Sequence, residues 1–224
     1  MNASDLVFEA IDGHCGGAWM AQPPSEPRAA VIVVQEIFGV NPHIRAVTRG
    51  FAAAGYLGLA PRLFDRVAAG TELGYDEAAV SRGRELVAQL GLDAALRDIA
   101  AVAQWARNQG LGVGVVGFCW GGTAALLAAT RLGLPAVAYY GGRSMGFLHE
   151  RPQAPLMLHF GQRDALIPAE HVARQRLAFA NAEVHEYAAG HGFNCSERAD
   201  FDPESATLAN SRTLDFLARH THGG

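Results

Sequence analysis

The segment Gly117-Phe118-Cys119-Trp120-Gly121-Gly122 sets a thiol between small residues, directly after the apolar run Gly112–Gly117 and directly before the helical run Thr123–Thr130. Strand, G-x-C-x-G, helix is the pattern of a sharp turn that lifts a nucleophile to the end of a sheet. Such a turn needs φ > 0 at the nucleophile, and large side chains two positions before and after it would collide with strand and helix. It also sets the sulfur at a helix N-terminus, where the partial positive charge favours thiolate. The same six residues describe a buried structural cysteine beside packing glycines, so the rest of the chain has to discriminate. A nucleophile here predicts an acid and then a histidine, in that order, on loops after later strands. Asp164 stands in Gly161-Gln-Arg-Asp164, directly after the apolar run Leu156–Phe160, and His191 in Gly190-His191-Gly-Phe193, shortly after Glu183–Tyr187. Read singly, Asp164 is a helix N-cap ahead of Pro168 and His191 a turn histidine. Read together they make a Cys-His-Asp relay.

These three loops need a scaffold. Ala29–Gln35 is a β-branched apolar run, the signature of a strand buried on both faces of a parallel sheet. Similar runs recur at Tyr56–Ala60, Gly112–Gly117, Ala136–Tyr140, Leu156–Phe160 and Glu183–Tyr187. Helical patterns lie between them; the clearest has Leu92, Leu96, Ile99, Ala103 and Ala106 at three-to-four spacing, ended by Gly110. The last helix is expected from Pro203, with Asp202 as its cap. Alternating strands and helices predict an α/β fold with a mostly parallel central sheet and helices on both faces. Asp5–Ala10 and Gly17–Ala21, separated by Asp12-Gly13, predict an N-terminal β-hairpin. Arg62–Asp76 is the one long irregular stretch and is expected to shape a pocket mouth. Residues 1–224 are expected to form a single domain without a separate lid. Gly112-Val-Gly114-Val-Val-Gly117 spells a dinucleotide fingerprint, but its glycines fall inside the strand rather than after it, and Val137 occupies the place of the ribose-binding acid. That reading is rejected; close helix packing explains the glycines.

Composition excludes several other chemistries. The chain has 224 residues, is 50% hydrophobic and 18% charged, and carries a net charge of −4. No basic stripe suggests nucleic acid. All 18 basic residues are arginines, which removes a P-loop, a lysine Schiff base and a Ser-x-x-Lys nucleophile. Cys15, Cys119 and Cys195 are too sparse for a disulfide framework, and no C-x-x-C pair offers a metal site. His220-Thr-His222 supplies only two ligands, so no metal is expected. The opening residues lack a secretory signal and no run is long enough to span a membrane, so a cytoplasmic location is expected.

Together Gln35-Glu36-Ile37-Phe38-Gly39-Val40-Asn41, Gly117-Phe-Cys119-Trp-Gly-Gly122, Tyr139-Tyr140-Gly141, Gly161-Gln-Arg-Asp164 and Gly190-His191-Gly-Phe193 resemble the dienelactone hydrolases (carboxymethylenebutenolidases) of the α/β-hydrolase fold, over nearly the whole chain. The resemblance implies a cofactor-free hydrolase of small lactones and esters, with Cys119 as nucleophile, His191 as base and Asp164 as its orienting acid. It implies that Glu36 keeps the resting thiol protonated, and that the backbone N–H groups of Ile37 and Trp120 form the oxyanion hole. Pairing with an arginine such as Arg45 is the structural alternative for Glu36. The family grips a substrate carboxylate with arginines, for which Arg82, Arg84 and Arg198 are the candidates; Cys195 stands where the second arginine is expected. Phe38, Tyr140 and Phe193 are expected to line the pocket. Two other functions fit the residues: a broad carboxylesterase or thioesterase acting on neutral substrates, and a non-catalytic thiol sensor on a hydrolase fold. The expected partner is a small-molecule lactone or ester, with no nucleic acid or membrane, and the chain is expected as a monomer or weak homodimer.

Overall fold

In the computed structural model, which describes residues 3–221, the chain opens with the expected hairpin. Its strands β1 (Ala3–Glu9) and β2 (Cys15–Ala21) pair antiparallel from Ala3↔Ala21 to Glu9↔Cys15. Gly13 turns the tip at φ 79°, where a side chain would be strained. His222, half of the C-terminal histidine pair, lies outside the described residues.

The described chain divides into two compact units. One runs to Val115 and takes in Thr221; the other spans Val116–His220. In the first, the β-branched run is β3 (Ala30–Val34), buried at every residue as a strand covered on both faces must be. It pairs parallel with β4 (Leu57–Pro61), and β4 pairs antiparallel with β2. The crossover helix α1 (Pro42–Ala53) starts where Asn41 Oδ1 accepts the Ile44 N–H at 3.2 Å, with Pro42 in the first turn. Helix α2 (Glu77–Leu90) is capped likewise by Asp76, which accepts from Ala79 N at 2.7 Å. Helix α3 (Leu92–Asn108) buries Leu96, Ile99, Ala103 and Ala106 of the stripe read from the sequence, together with Ala95, Asp98 and Val102, while Leu92 is only half-buried; Gly110 follows it at φ 79°.

The irregular stretch Arg62–Asp76 is more ordered than expected. It holds a 3₁₀ turn at Leu63–Arg66, and beyond it the Leu73 N–H donates to Phe38 O at 2.8 Å. Arg66 forks onto buried Asp98 at 2.7 Å and onto Asp12 at 2.9 Å, which ties the hairpin tip to α3. Burial pushes the Asp98 carboxyl up, and Arg66 opposes that shift.

Strand β5 (Val113–Phe118) is where the chain passes from one unit to the other. The strand order is β1-β2-β4-β3-β5 up to this point. It continues with β6 (Ala136–Tyr139), β7 (Leu156–Gly161) and β8 (Glu183–Tyr187), eight strands among the described residues, with β6–β7 and β7–β8 parallel. The second unit also holds α4 (Trp120–Arg131), α5 (Ala169–Ala178) and α6 (Pro203–His220). Helix α4 is buried at every residue but Arg131, which matches its mostly apolar and small residues, Thr123 and Thr130 being the polar ones it buries. Asp202 Oδ1 caps α6 through Ser205 N at 2.8 Å, as the Asp-Pro-Glu sequence requires. No described helix is long and apolar enough to cross a membrane.

Candidate active site

Cys119 sits between β5 and α4 with φ 54° and ψ −114°, a conformation costing about 1–3 kcal/mol in a residue with a side chain. The glycines around it explain how the turn closes. A Cβ on Gly117 would stand 1.9 Å from Gly121 O, and one on Gly122 would stand 2.6 Å from Tyr139 O. The fingerprint glycine Gly117 thus serves strand-to-helix packing, and the dinucleotide reading stays rejected. Cys119 N–H donates to Tyr139 O at 3.0 Å, and Gly122 N–H turns back onto Cys119 O at 3.0 Å. Trp120 opens α4, where amide N–H groups lack intrahelical partners.

The chain brings His191 to this sulfur. His191 Nε2 is 3.3 Å from Cys119 Sγ, and Nδ1 is 2.7 Å from Asp164 Oδ2. His191 and Asp164 are both buried. Asp164 Oδ1 accepts the Leu166 N–H at 2.8 Å, so the carboxylate is held from both sides. The alternative in which Asp164 caps a helix is set aside, because α5 begins only at Ala169 with Pro168 before it. Burial alone would hold the His191 imidazolium down; hydrogen bonds to Asp164 and Cys119 outweigh it and raise the group to about 10. At neutral pH His191 is therefore protonated, with Nδ1–H donated to the carboxylate and Nε2–H facing the sulfur.

Small residues let the loops meet. A Cβ on Gly161, at the end of β7, would stand 2.5 Å from Ala189 O and 2.6 Å from Gly190 O, so only glycine admits the histidine loop over that strand end. Beyond His191, Gly192 has φ 78°, and the Arg198 guanidinium lies 2.9 Å from where its Cβ would be. Arg198, one of the arginine candidates, thus packs against Gly192, the residue that follows the histidine. Phe193 and Tyr140 are buried, with the Tyr140 ring 5.1 Å from His191 and 5.5 Å from Phe193. Tyr140 is the other non-glycine residue with positive φ among those described, at 41°.

The remaining candidates lie in the first unit. Glu36 is fully buried just past β3, and the Tyr75 hydroxyl is 3.5 Å from its Oε2. Arg45, the partner weighed for Glu36, instead holds Glu72 at 2.5 and 2.8 Å and Val40 O at 3.0 Å. Ile37 and Phe38 are buried; Ile37 O is 2.2 Å from where a Cβ on Gly83 of α2 would be, and the Phe38 ring is 4.6 Å from that of Tyr75. Arg82 lies on the exposed side of α2 in an ion pair with Glu85 at 3.0 Å.

Sequence reasoning missed a set of polar residues beneath the site: Tyr139, His159, Tyr187 and Thr213. Thr213 Oγ1 is 2.7 Å from Tyr139 Oη and 3.2 Å from His159 Nε2; His159 Nδ1 is 2.8 Å from Tyr187 Oη, which accepts from Arg212 at 3.1 Å. The available signal was a histidine inside the apolar run Leu156–Phe160, which a parallel strand buries and must hydrogen-bond.

Residues 17–221 match the dienelactone hydrolase family. The carboxymethylenebutenolidase of Pseudomonas putida is 33% identical, with 97% of each chain covered. That of Pseudomonas sp. strain P51 is 36% identical over 98% of this chain and 96% of its own. A solved Klebsiella pneumoniae structure named as a dienelactone hydrolase superposes with a TM-score of 0.81 at 32% identity, covering 98% of this chain and all of that one.

Proposed function

The chain belongs to the dienelactone hydrolase family, hydrolases of esters and lactones, and from that premise we propose that it opens small lactones through Cys119, His191 and Asp164. The observation that carries this reading is the unbroken line from Sγ through the imidazole to a buried carboxylate, at 3.3 and 2.7 Å, starting from a cysteine in strained backbone at a helix N-terminus. The sulfur attacks the carbonyl carbon as thiolate, and the electron pair of the C=O bond moves onto its oxygen. The Trp120 N–H stabilises that oxyanion. When the tetrahedral adduct collapses, the C–O bond to the leaving group breaks and His191 gives its Nε2 proton to the departing oxygen. His191, now neutral, takes a proton from water, whose oxygen attacks the thioester; cleavage of the C–S bond releases the acid and restores the imidazolium–sulfur pair. Asp164 keeps the ring in one tautomer throughout. The parts of Glu36, which holds the resting thiol protonated and takes that proton when substrate arrives so that the sulfur can attack as thiolate, and of the Ile37 N–H, as second oxyanion donor, rest on family membership alone.

The position of Arg198 beside Gly192 favours a substrate that carries a carboxylate, since a planar guanidinium fork matches two carboxylate oxygens. Tyr140, its ring 5.1 Å from that of His191, and Phe193, packed 5.5 Å from Tyr140, supply apolar surface near the histidine. The test is hydrolysis of dienelactone and of a neutral p-nitrophenyl ester by wild type, Cys119→Ala and Arg198→Ala. Cys119→Ala is expected to abolish turnover of both. Arg198→Ala is expected to raise KM for the lactone roughly tenfold or more and leave the neutral ester nearly unchanged. Full esterase activity in Cys119→Ala would sink the mechanism. An Arg198→Ala variant with unchanged lactone kinetics would point to neutral esters as the natural substrates.

A further inference from the structure

The loops that carry Cys119, Asp164 and His191 follow β5, β7 and β8, and the strands β6, β7 and β8 are joined by one buried polar chain. At the end of β6, Tyr139 O accepts the Cys119 N–H at 3.0 Å, and the Tyr139 hydroxyl meets Thr213 Oγ1 at 2.7 Å. In β7, His159 O accepts the Tyr140 N–H at 2.8 Å, and its ring lies between Thr213 and Tyr187. At the end of β8, Tyr187 O accepts the N–H of Gln162, at 2.7 Å, and of Ala189, at 2.8 Å; these residues flank Asp164 and His191 in the chain. The Tyr187 ring packs 5.0 Å from that of Phe193. By backbone, β6 holds the Cys119 turn and β8 the loops of Asp164 and His191, while β6, β7 and β8 all carry the polar chain by their side chains.

The direction of that chain follows from its charged end. Arg212 can only donate, so the Tyr187 oxygen accepts and its own proton goes to His159 Nδ1. The imidazole proton then sits on Nε2 and donates to Thr213 Oγ1. Burial, with the positive charge of neighbouring His185 and Arg212, keeps His159 well below its ordinary range, which agrees with a neutral ring. Thr213 stands on α6, so its hydroxyl binds the helix to two strands at once.

We propose that the Thr213 hydroxyl is a positioning group for the reaction, holding Tyr139 and His159 so that the sulfur and the imidazole stay in register. The proposal rests on the reading of Cys119 and His191 as nucleophile and base. Small displacements of reacting groups are costly, up to roughly a hundredfold per ångström. Losing a hydrogen bond that sets strand-end spacing should therefore lower kcat and leave substrate affinity alone.

The experiment compares Thr213→Val, which removes the hydroxyl at nearly constant volume, with Thr213→Ser, which keeps it. The assay is p-nitrophenyl acetate hydrolysis near neutral pH, together with the downfield proton resonance of the His191 Nδ1–H bond. Thr213→Val is expected to lose about tenfold in kcat with KM within about twofold and a broadened His191 signal. Thr213→Ser is expected to recover most of the rate and the sharp signal. Wild-type kcat in Thr213→Val, or an equal loss in Thr213→Ser, overturns the proposal. Should Thr213→Val not fold, Tyr187→Phe breaks the same chain at its other end: a comparable kcat loss supports the proposal and wild-type kcat overturns it. Cys119→Ala in the same assay tests the underlying reading separately, because turnover without the thiol removes the nucleophile whatever Thr213 does.

Discussion

Two buried histidines of the second unit have opposite fates. His159, inside β7, is surrounded by hydroxyls and stays neutral; His191, on the loop after β8, is protonated at neutral pH. Burial disfavours the charge in both. The difference is the partner: Tyr187 and Thr213 offer His159 neutral oxygens, whereas Asp164 offers His191 a buried carboxylate at 2.7 Å. The two rings thus differ in charge, and neither accessibility nor residue type tells them apart.

Neutralising the carboxylate should therefore collapse the distinction. Asp164→Asn is expected to lower kcat on a p-nitrophenyl ester by roughly 10³–10⁴-fold, because the amide no longer stabilises an imidazolium or enforces its tautomer. Imidazole titration followed by NMR should move His191 down from about 10 toward the behaviour of His159. A His191 that stayed protonated near pH 9 in that variant would break the comparison.

Stability against pH gives the next effect. A histidine raised in the folded state contributes stability that is complete below the unfolded value, about 6.5, and is lost as pH climbs through about 10. His159 does the reverse: its folded value is depressed, so acidification below 6.5 protonates the unfolded chain preferentially and destabilises the native one. Between them the two rings place a stability maximum near pH 6.5. Urea unfolding across pH should show the alkaline decline shrinking in Asp164→Asn and the acid decline shrinking in His159→Leu. An unchanged alkaline slope in Asp164→Asn would separate the charge on His191 from its carboxylate.

The smallest effect concerns a charge pair without burial. Arg82 and Glu85 face solvent at 3.0 Å, so water screens them. Arg82→Ala should shift unfolding by at most about 0.5 kcal/mol and leave KM for an anionic lactone within about twofold, in contrast to Arg198→Ala. A large KM effect at Arg82 would move the substrate clamp to α2.

Much of this was legible along the chain because it is local. Ala30–Val34 has to be a buried parallel strand, Asp202-Pro203 a helix start, and Gly117-x-Cys119-x-Gly121 a turn that only small flanking residues permit. Asp164 and His191 could be placed because they follow strands, and strand ends on one edge of a parallel sheet converge. Arg45 shows where this stops: along the chain it could be weighed only as an alternative partner for Glu36, and the docking of Arg62–Asp76 on Phe38–Asn41 brought Glu72 to it. Thr213 shows the same from the other side, a residue without a motif that becomes a hub once α6 lies across β6 and β7.

By itself, then, the sequence determined the elements, the strained elbow and the order of Cys119, Asp164 and His191 after their strands, since backbone sterics and hydrophobic periodicity act over a few neighbours. Only the tertiary structure decided that Arg198 packs against Gly192, which hydroxyls hold His159 and which histidine carries a proton. Those depend on hydrogen bonds and charges brought within about 3 Å by distant segments, and their strength is set by burial that no short stretch of chain can encode.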